Sequence, residues 1–253
     1  MPKILLTNDD GIEAPGLFAL YQAMREKGDV VVVAPDRERS GTGHGITLTK
    51  PLRYSRVDKH GEFYGYSVNG TPVDCVKIAE HAILKGKPDM IISGINLGSN
   101  TGVNTIYSGT VAAALEGAVL EVPSFAISLT TFENPHFETA ANFAARFFSI
   151  LLESNLPTNL TYNINVPNLP ESEIKGVRIT RQGASTYDDH YEHRRDPRGQ
   201  EYFWLTGERV TFHEDGETDD GAIDKSCIAV TPIQFDLTAH HMIDRIKSWE
   251  SIF

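Results

Sequence analysis

Ile4-Leu5-Leu6 is a short apolar run without a charge, the pattern of a strand covered on both faces. Beyond it, Leu17, Leu20, Tyr21 and Met24 fall at i, i+3, i+4 and i+7, which predicts a helix over 15–27 with Gly28 as its C-terminal cap. Residues 30–34 repeat the continuous apolar pattern and Pro35 closes it. Strand, helix and strand within about thirty residues make a βαβ unit, so the sheet begins parallel. Segments 46–57 and 63–68 read as extended, with Lys59-His60-Gly61-Glu62 turning between them, and predict a hairpin insertion. Thr71-Pro72 opens a helix, hydroxyl as cap and proline at the first helical position, running to about Leu84 and stopping at Gly86.

Residues 90–95 are the next parallel strand, followed by a long loop of small residues and a helix over 109–120. Residues 124–129 form a further strand, 136–154 a helix, and 162–166 a strand with some alternation. These elements predict an α/β fold, a doubly wound and mostly parallel sheet in three αβα layers, with residues 1–168 as its core. The remainder, 169–253, reads as a C-terminal extension and not an independent domain. Within it, 181–201 is densely polar and reads as a surface loop. Its Asp188-Asp189-His190-Tyr191-Glu192-His193 has the residue types of a metal site but no histidine pair at helical spacing. Segments 202–205 and 209–212 predict a hairpin, 214–220 an acidic loop and 227–231 a strand. The tail 237–253 is amphipathic, with Met242, Ile246, Trp249 and Phe253 on one stripe.

Composition narrows the class of partner. The 253 residues are 40% hydrophobic and 23% charged, an ordinary globular balance. A net charge of −11 argues against a nucleic-acid polymer as partner. A phosphorylated ligand would therefore need a metal ion or backbone N–H groups to supply local positive potential. No apolar run approaches the roughly 18 residues that span a membrane. The chain enters a strand directly, with no cationic and apolar leader, so a cytoplasmic location without a signal peptide is expected. Cys75 and Cys227 read as two buried thiols in a reducing compartment.

The candidate chemistry collects at the carboxyl ends of the strands, where open α/β sheets bind ligands. Asp9 and Asp10 follow the first strand, with no Lys or Arg between Lys3 and Arg25. Two such carboxylates repel each other unless a cation lies between them, and a hard divalent ion, Mg²⁺ or Mn²⁺, suits oxygen ligands. Asn-Asp-Asp-Gly is also good turn chemistry, so a solvated acidic turn is the alternative. On the same rim, 36–45 carries Gly41, Gly43 and Gly45 but lacks the dinucleotide fingerprint, so a nicotinamide cofactor is not expected. Ser40 there can give an oxygen to a metal or only shape a turn; His44 can be structural or carry a proton. Asn96, Asn100 and Asn104 crowd the loop after the third strand, more polarity than a connection needs. Ser108-Gly109-Thr110 stands at a helix start, where N–H groups and the dipole favour an anion. An ordinary serine cap explains the same residues; the acidic pair on the same rim favours a phosphate cradle.

These loops together resemble the SurE family of survival-protein nucleotidases. The resemblance is carried by Leu5-Leu6-Thr7-Asn8-Asp9-Asp10-Gly11, Ala34-Pro35-Asp36 leading to Ser40-Gly41, Ser93-Gly94-Ile95-Asn96-Leu97-Gly98, and Tyr107-Ser108-Gly109-Thr110-Val111. Thr218-Asp219, Ala222, Ala229-Val230-Thr231-Pro232 and Asp236-Leu237-Thr238 look like that family's C-terminal pattern, so nearly the whole chain is covered, 181–215 least clearly. The resemblance implies a Rossmann-like core and a phosphomonoesterase (5′/3′-nucleotidase) acting on nucleoside monophosphates, with short polyphosphate as a further substrate. It implies one divalent cation per subunit on Asp9, Asp10, Ser40 and Asn96. Asp9, Asp10 and Asn8 would be the catalytic groups. Asn96, Ser108, Gly109 and Thr110 would meet the phosphate, and Asn8 would lie against it too. It also implies a cytoplasmic homodimer or homotetramer built partly by exchange of C-terminal elements, with the C-terminal hairpin and helix used in assembly. Phosphoacceptor receiver domains share an acidic pair after strand one. They also need an Asp after strand three and a Lys after strand five, where this chain has Asn96 and Pro167-Asn168. A non-catalytic nucleotide binder would keep the cradle without needing the acidic pair.

Overall fold

The structure, a computed structural model, describes residues 1–210 and 216–252, without the side chains of Arg209 and Ser251. The apolar β1 (Lys3–Thr7) leads into α1 (Pro15–Met24) and β2 (Asp29–Pro35). Then follow β3 (Tyr54–Lys59), β4 (Glu62–Val68), α2 (Pro72–Ile78) and β5 (Met90–Leu97). Next come α3 (Gly109–Val119), β6 (Ser124–Leu129), α4 (Phe137–Glu153) and β7 (Thr161–Val166). The chain continues through β8 (Val177–Ile179), β9 (Thr186–Arg195), β10 (Glu201–Val210), α5 (Asp219–Ile223), β11 (Ile228–Ile233) and α6 (His240–Ile246).

Among the described residues, nine strands form one sheet in the order β3-β4-β2-β1-β5-β6-β7-β11-β8. β1 is central, hydrogen-bonded in parallel to β2 on one side and β5 on the other, which is why its apolar run is unbroken. Its side chains alternate between two cores. Ile4 and Leu6 pack with Leu17, Leu20 and Met24 of α1 and Phe148 of α4; Leu5 packs with Val76 of α2 and Ala113 of α3. Helices thus cover both faces, giving the expected doubly wound, mostly parallel αβα fold. Cys75 and Cys227 are free and buried.

Several elements differ from the pattern-based expectations. The β3–β4 hairpin is an extension of the sheet, not an insertion: β4 runs parallel to β2 and buries Tyr64 and Val68 in the two cores. Residues 46–53 are not a strand. α1 ends at Arg25 in right-handed geometry, and Gly28 is not its cap. Gly28 permits a close approach instead, since a Cβ there would lie 2.3 Å from the Pro2 carbonyl oxygen.

The largest difference is at 181–201, where a surface loop was expected. Residues 186–195 form β9 and pair antiparallel along their length with β10, a single strand over 201–210. This two-stranded ribbon is separate from the main sheet and solvent reaches both its faces, so it lacks the alternation of a half-buried strand. Phe212 of the expected 209–212 strand lies outside the described residues. So does Glu214 of the expected acidic loop, but Asp219 and Asp220 of that loop begin α5 and are buried. Beyond residue 168, β11 joins β7 antiparallel and β8 joins β11, so the main sheet draws strands from both parts of the chain. The tail helix α6 buries no residue; Ile246 and Trp249 are exposed, and Phe253 lies outside the described residues.

Candidate active site

β1, β5 and the start of α3 converge on one point. Leaving β1, Asn8 closes the turn: its amide nitrogen donates to the Gly11 carbonyl at 3.0 Å and its Oδ1 accepts from Gly11 N–H at 3.1 Å. That turn buries Asp9 almost fully and Asp10 in large part. The Thr110 hydroxyl donates to Asp9 Oδ1, and the backbone N–H groups of Gly109 and Thr110 also donate to this carboxylate. Asp9 thus stands in the position of an anion at the N-terminus of α3. Only glycine fits at 109, because a Cβ would come within 2.8 Å of Asp9 Cβ. Ser108 caps α3, its Oγ accepting from Val111 N–H at 3.1 Å.

Asn96, at the end of β5, is fixed in orientation. Its amide nitrogen donates to the carbonyls of Leu97 at 3.1 Å and Gly98 at 2.8 Å, which turns Oδ1 toward the Thr110 hydroxyl at 3.4 Å. Ser40 is exposed and donates to Glu38 at 2.7 Å. Its loop is tied to the site by Arg39 N–H donating to the Asp9 carbonyl at 2.7 Å, and by His44, which pairs with buried Glu116 at 2.8 Å. His44 therefore holds its loop to α3.

Asp9, Ser40, Asn96 and Ser108 line one cleft of about 380 Å³. Asn8 bonds within the Gly11 turn, and Asn8, Asp10, Gly109 and Thr110 are not among the residues that line this cleft. Asn104, Tyr107, Phe132 and Tyr187 also line it, and the sequence pattern assigned none of these a role. An aromatic, Tyr107, at the end of the polar loop after β5 was the available signal; the structure leaves Tyr107 61% and Phe132 75% exposed. A larger cleft of about 620 Å³ between α4 and β8 is apolar, and its charged pair, Arg146 and Glu171, is bonded internally at 2.5 Å. It offers no free reactive group.

The electrostatics favour a cation at the acidic pair. Burial pushes the Asp9 carboxyl above its usual range despite the hydrogen bonds from α3. Burial first, then the carboxylates of Asp9 and Glu38, raise Asp10 to about 7. Among the described residues no cluster of three His, Cys, Asp or Glu side chains could hold a metal. A metal here would rest on two carboxylates completed by neutral oxygens. Asp9, Asp10, the oriented Asn96 Oδ1 and Ser40 would make an oxygen-only donor set, the chemistry that a hard divalent ion takes.

The fold and site define a class: a doubly wound α/β protein whose acidic pair meets a helix N-terminus at the sheet's carboxyl edge. The family model described as Survival protein SurE matches residues 4–189, and the chain belongs to the SurE family. It is 47% identical to the 5'-nucleotidase SurE of Syntrophobacter fumaroxidans, over 98% of this chain and 99% of that one. It is 48% identical to the 5'-nucleotidase SurE of Chlorobaculum tepidum, over 98% of this chain and 94% of that one. The crystal structure of the SurE protein from Aquifex aeolicus superposes with a TM-score of 0.85 at 41% identity, covering 98% of this chain and all of that one.

A raised carboxyl pKa in the folded state means that Asp10 contributes stability at low pH. That contribution is complete below about pH 4, where the unfolded carboxyl also holds its proton, and is lost as pH rises through about 7. In chelator, the melting temperature of wild type should fall relative to that of Asp10→Asn across this window, leaving the variant no less stable at pH 8. Parallel melting curves for the two proteins from pH 4 to 8 would show that Asp10 is not held this way.

Proposed function

We propose that the protein is a metal-dependent phosphomonoesterase that hydrolyses nucleoside monophosphates to nucleoside and inorganic phosphate. The observation that carries this reading is the Asp9 carboxylate buried at the N-terminus of α3, lining one cleft with Ser40 and Asn96 and felt electrostatically by Asp10. The relatives named 5'-nucleotidase SurE support the substrate class. Asp9, Asp10, Ser40 and Asn96 would hold one divalent cation, Mg²⁺ or Mn²⁺. When bound, it supplies charge neutralisation for the phosphoryl oxygens.

The chain's own groups do the rest. Ser108 offers its hydroxyl to the phosphate, which competes with Asp9 for the N–H groups of Gly109 and Thr110, and the Thr110 hydroxyl orients Asp9. Asn8 acts by holding the turn that presents both carboxylates. Water adds to phosphorus, the ester P–O bond breaks, and the departing nucleoside oxygen takes a proton. Residues 1–168 supply every proposed ligand, with 169–253 as the extension. Among the described residues no helix is long and apolar enough to cross a membrane, and two free buried cysteines suit a reducing, cytoplasmic setting.

We assign the assembly as a homo-oligomer, dimer or tetramer, because the tail leaves Ile243, Ile246, Trp249 and Ile252 exposed, and the ribbon leaves Phe203 and Trp204 so. Truncation after Thr238 should shift the light-scattering mass to monomer or produce aggregate. An oligomer of unchanged size would refute a role for the tail.

The activity is tested by phosphate release from a panel of 5′- and 3′-nucleotides, sugar phosphates and short polyphosphate, with each divalent metal and with chelator. Hydrolysis of nucleoside monophosphates should vanish in chelator and return with Mg²⁺ or Mn²⁺. Full turnover after exhaustive metal removal, checked by elemental analysis, would remove the proposed mechanism.

A further inference from the structure

Asp219 is a fully buried carboxylate outside the acidic pair. Its Oδ2 accepts from Gly102 N–H at 3.0 Å, and its Oδ1 accepts from Gly183 N–H at 2.8 Å and Asp220 N–H at 3.0 Å. One side chain thereby fastens two segments far apart in sequence. Around it, Gln182 donates to the Gly102 carbonyl at 2.7 Å and Val103 N–H donates to the Ser185 carbonyl at 2.9 Å. Gly102, at φ +55°, is pressed so closely that a Cβ would lie 2.3 Å from Ser185 Oγ. The neighbouring Asp220 carboxylate receives the Ser185 hydroxyl.

Both fastened segments lead to the cleft. The first continues to Asn104 and Tyr107, which line it; the second launches β9, whose Tyr187 lines it too. A second hollow of about 710 Å³ shares Gly41, Asn104, Tyr107 and Tyr187 and runs along the ribbon to Tyr191 and Leu205. The phosphate end of the cleft is set by β1, β5 and α3, none of which Asp219 touches in these bonds. The aromatic end depends on the angle between the loop after β5 and the ribbon. Aromatic walls beside a phosphate cradle suit a planar base.

We propose that Asp219 is a positioning residue for the nucleoside half of the substrate, setting the wall formed by Tyr107 and Tyr187; this rests on the nucleotidase reading above. A carboxylate is needed because both of its oxygens only accept, so it can take several N–H groups at once. An amide in its place turns a donor toward one of those N–H groups and loosens a strap.

The test compares Asp219→Asn with wild type, as full chains with saturating Mn²⁺, on a nucleoside monophosphate and on glycerol phosphate, which lacks a base. For the nucleotide, KM should rise about tenfold with kcat little changed, while kcat/KM for glycerol phosphate stays within about twofold. Equal loss on both substrates would mark Asp219 as merely structural and overturn the proposal, as would unchanged kinetics on both. If Asp219→Asn does not fold, Gln182→Ala, which removes the adjacent strap, decides: the same split in smaller degree supports the proposal, and its absence defeats it. Wild type that cleaves glycerol phosphate but no nucleotide also defeats it. Wild type inactive on both substrates would sink the nucleotidase reading, and the proposal with it.

Discussion

A carboxylate held against the first turn of a helix is the constraint on which the rest of this site depends. Asp9 takes N–H groups of Gly109 and Thr110 and the Thr110 hydroxyl, and this closeness requires glycine at 109. The helix dipole and its unpaired N–H groups make a buried negative charge tolerable there. They do not remove the cost of burial, which raises both carboxyls, and the Asp9 and Glu38 charges add to the rise at Asp10. A cation relieves that repulsion and a phosphate competes for the same helix end. The strain at the strand end is therefore what makes the site receptive, the usual exchange of stability for function.

The scaffold explains how the strain is tolerated. β1 lies in the middle of a parallel sheet with a core on each face, so the Asp9 turn grows from a part of the chain that the fold holds firmly. The loop after β2 is fastened to it by Arg39 N–H donating to the Asp9 carbonyl, and to the loop before α3 by Gly43 N–H donating to the Tyr107 carbonyl. Groups from four stretches separated in sequence, β1, β5, α3 and the loop after β2, are thereby brought together.

Much of this was legible in the sequence. The apolar runs gave β1, β2, β5 and β6 because buried parallel strands need no polar alternation, β7 was legible through its partial alternation, and Ser108 and Thr71 cap the helices they were expected to cap. The acidic pair stood out through the absence of nearby basic residues, and Asn96 through its strand-end position. The β9–β10 ribbon was not legible: with both faces wet, its residues carry no periodicity to distinguish them from a loop. For the same reason Tyr187 could not be placed in the cleft. Asp219 and Asp220 looked like part of an acidic loop, since their burial arises from partners about 35 to 120 residues away. The β3–β4 hairpin was visible as a hairpin, but its pairing with β2 is a tertiary contact that no local pattern records.

The central claim, that Asp9 and Asp10 with Asn96 and Ser40 form the metal site, is tested most directly by calorimetric titration of Mn²⁺ into the metal-free protein and into Asp9→Asn. The account predicts a single saturable site in wild type and affinity lower by about tenfold or more when Asp9 loses its charge. Equal Mn²⁺ affinity in a folded Asp9→Asn would contradict it.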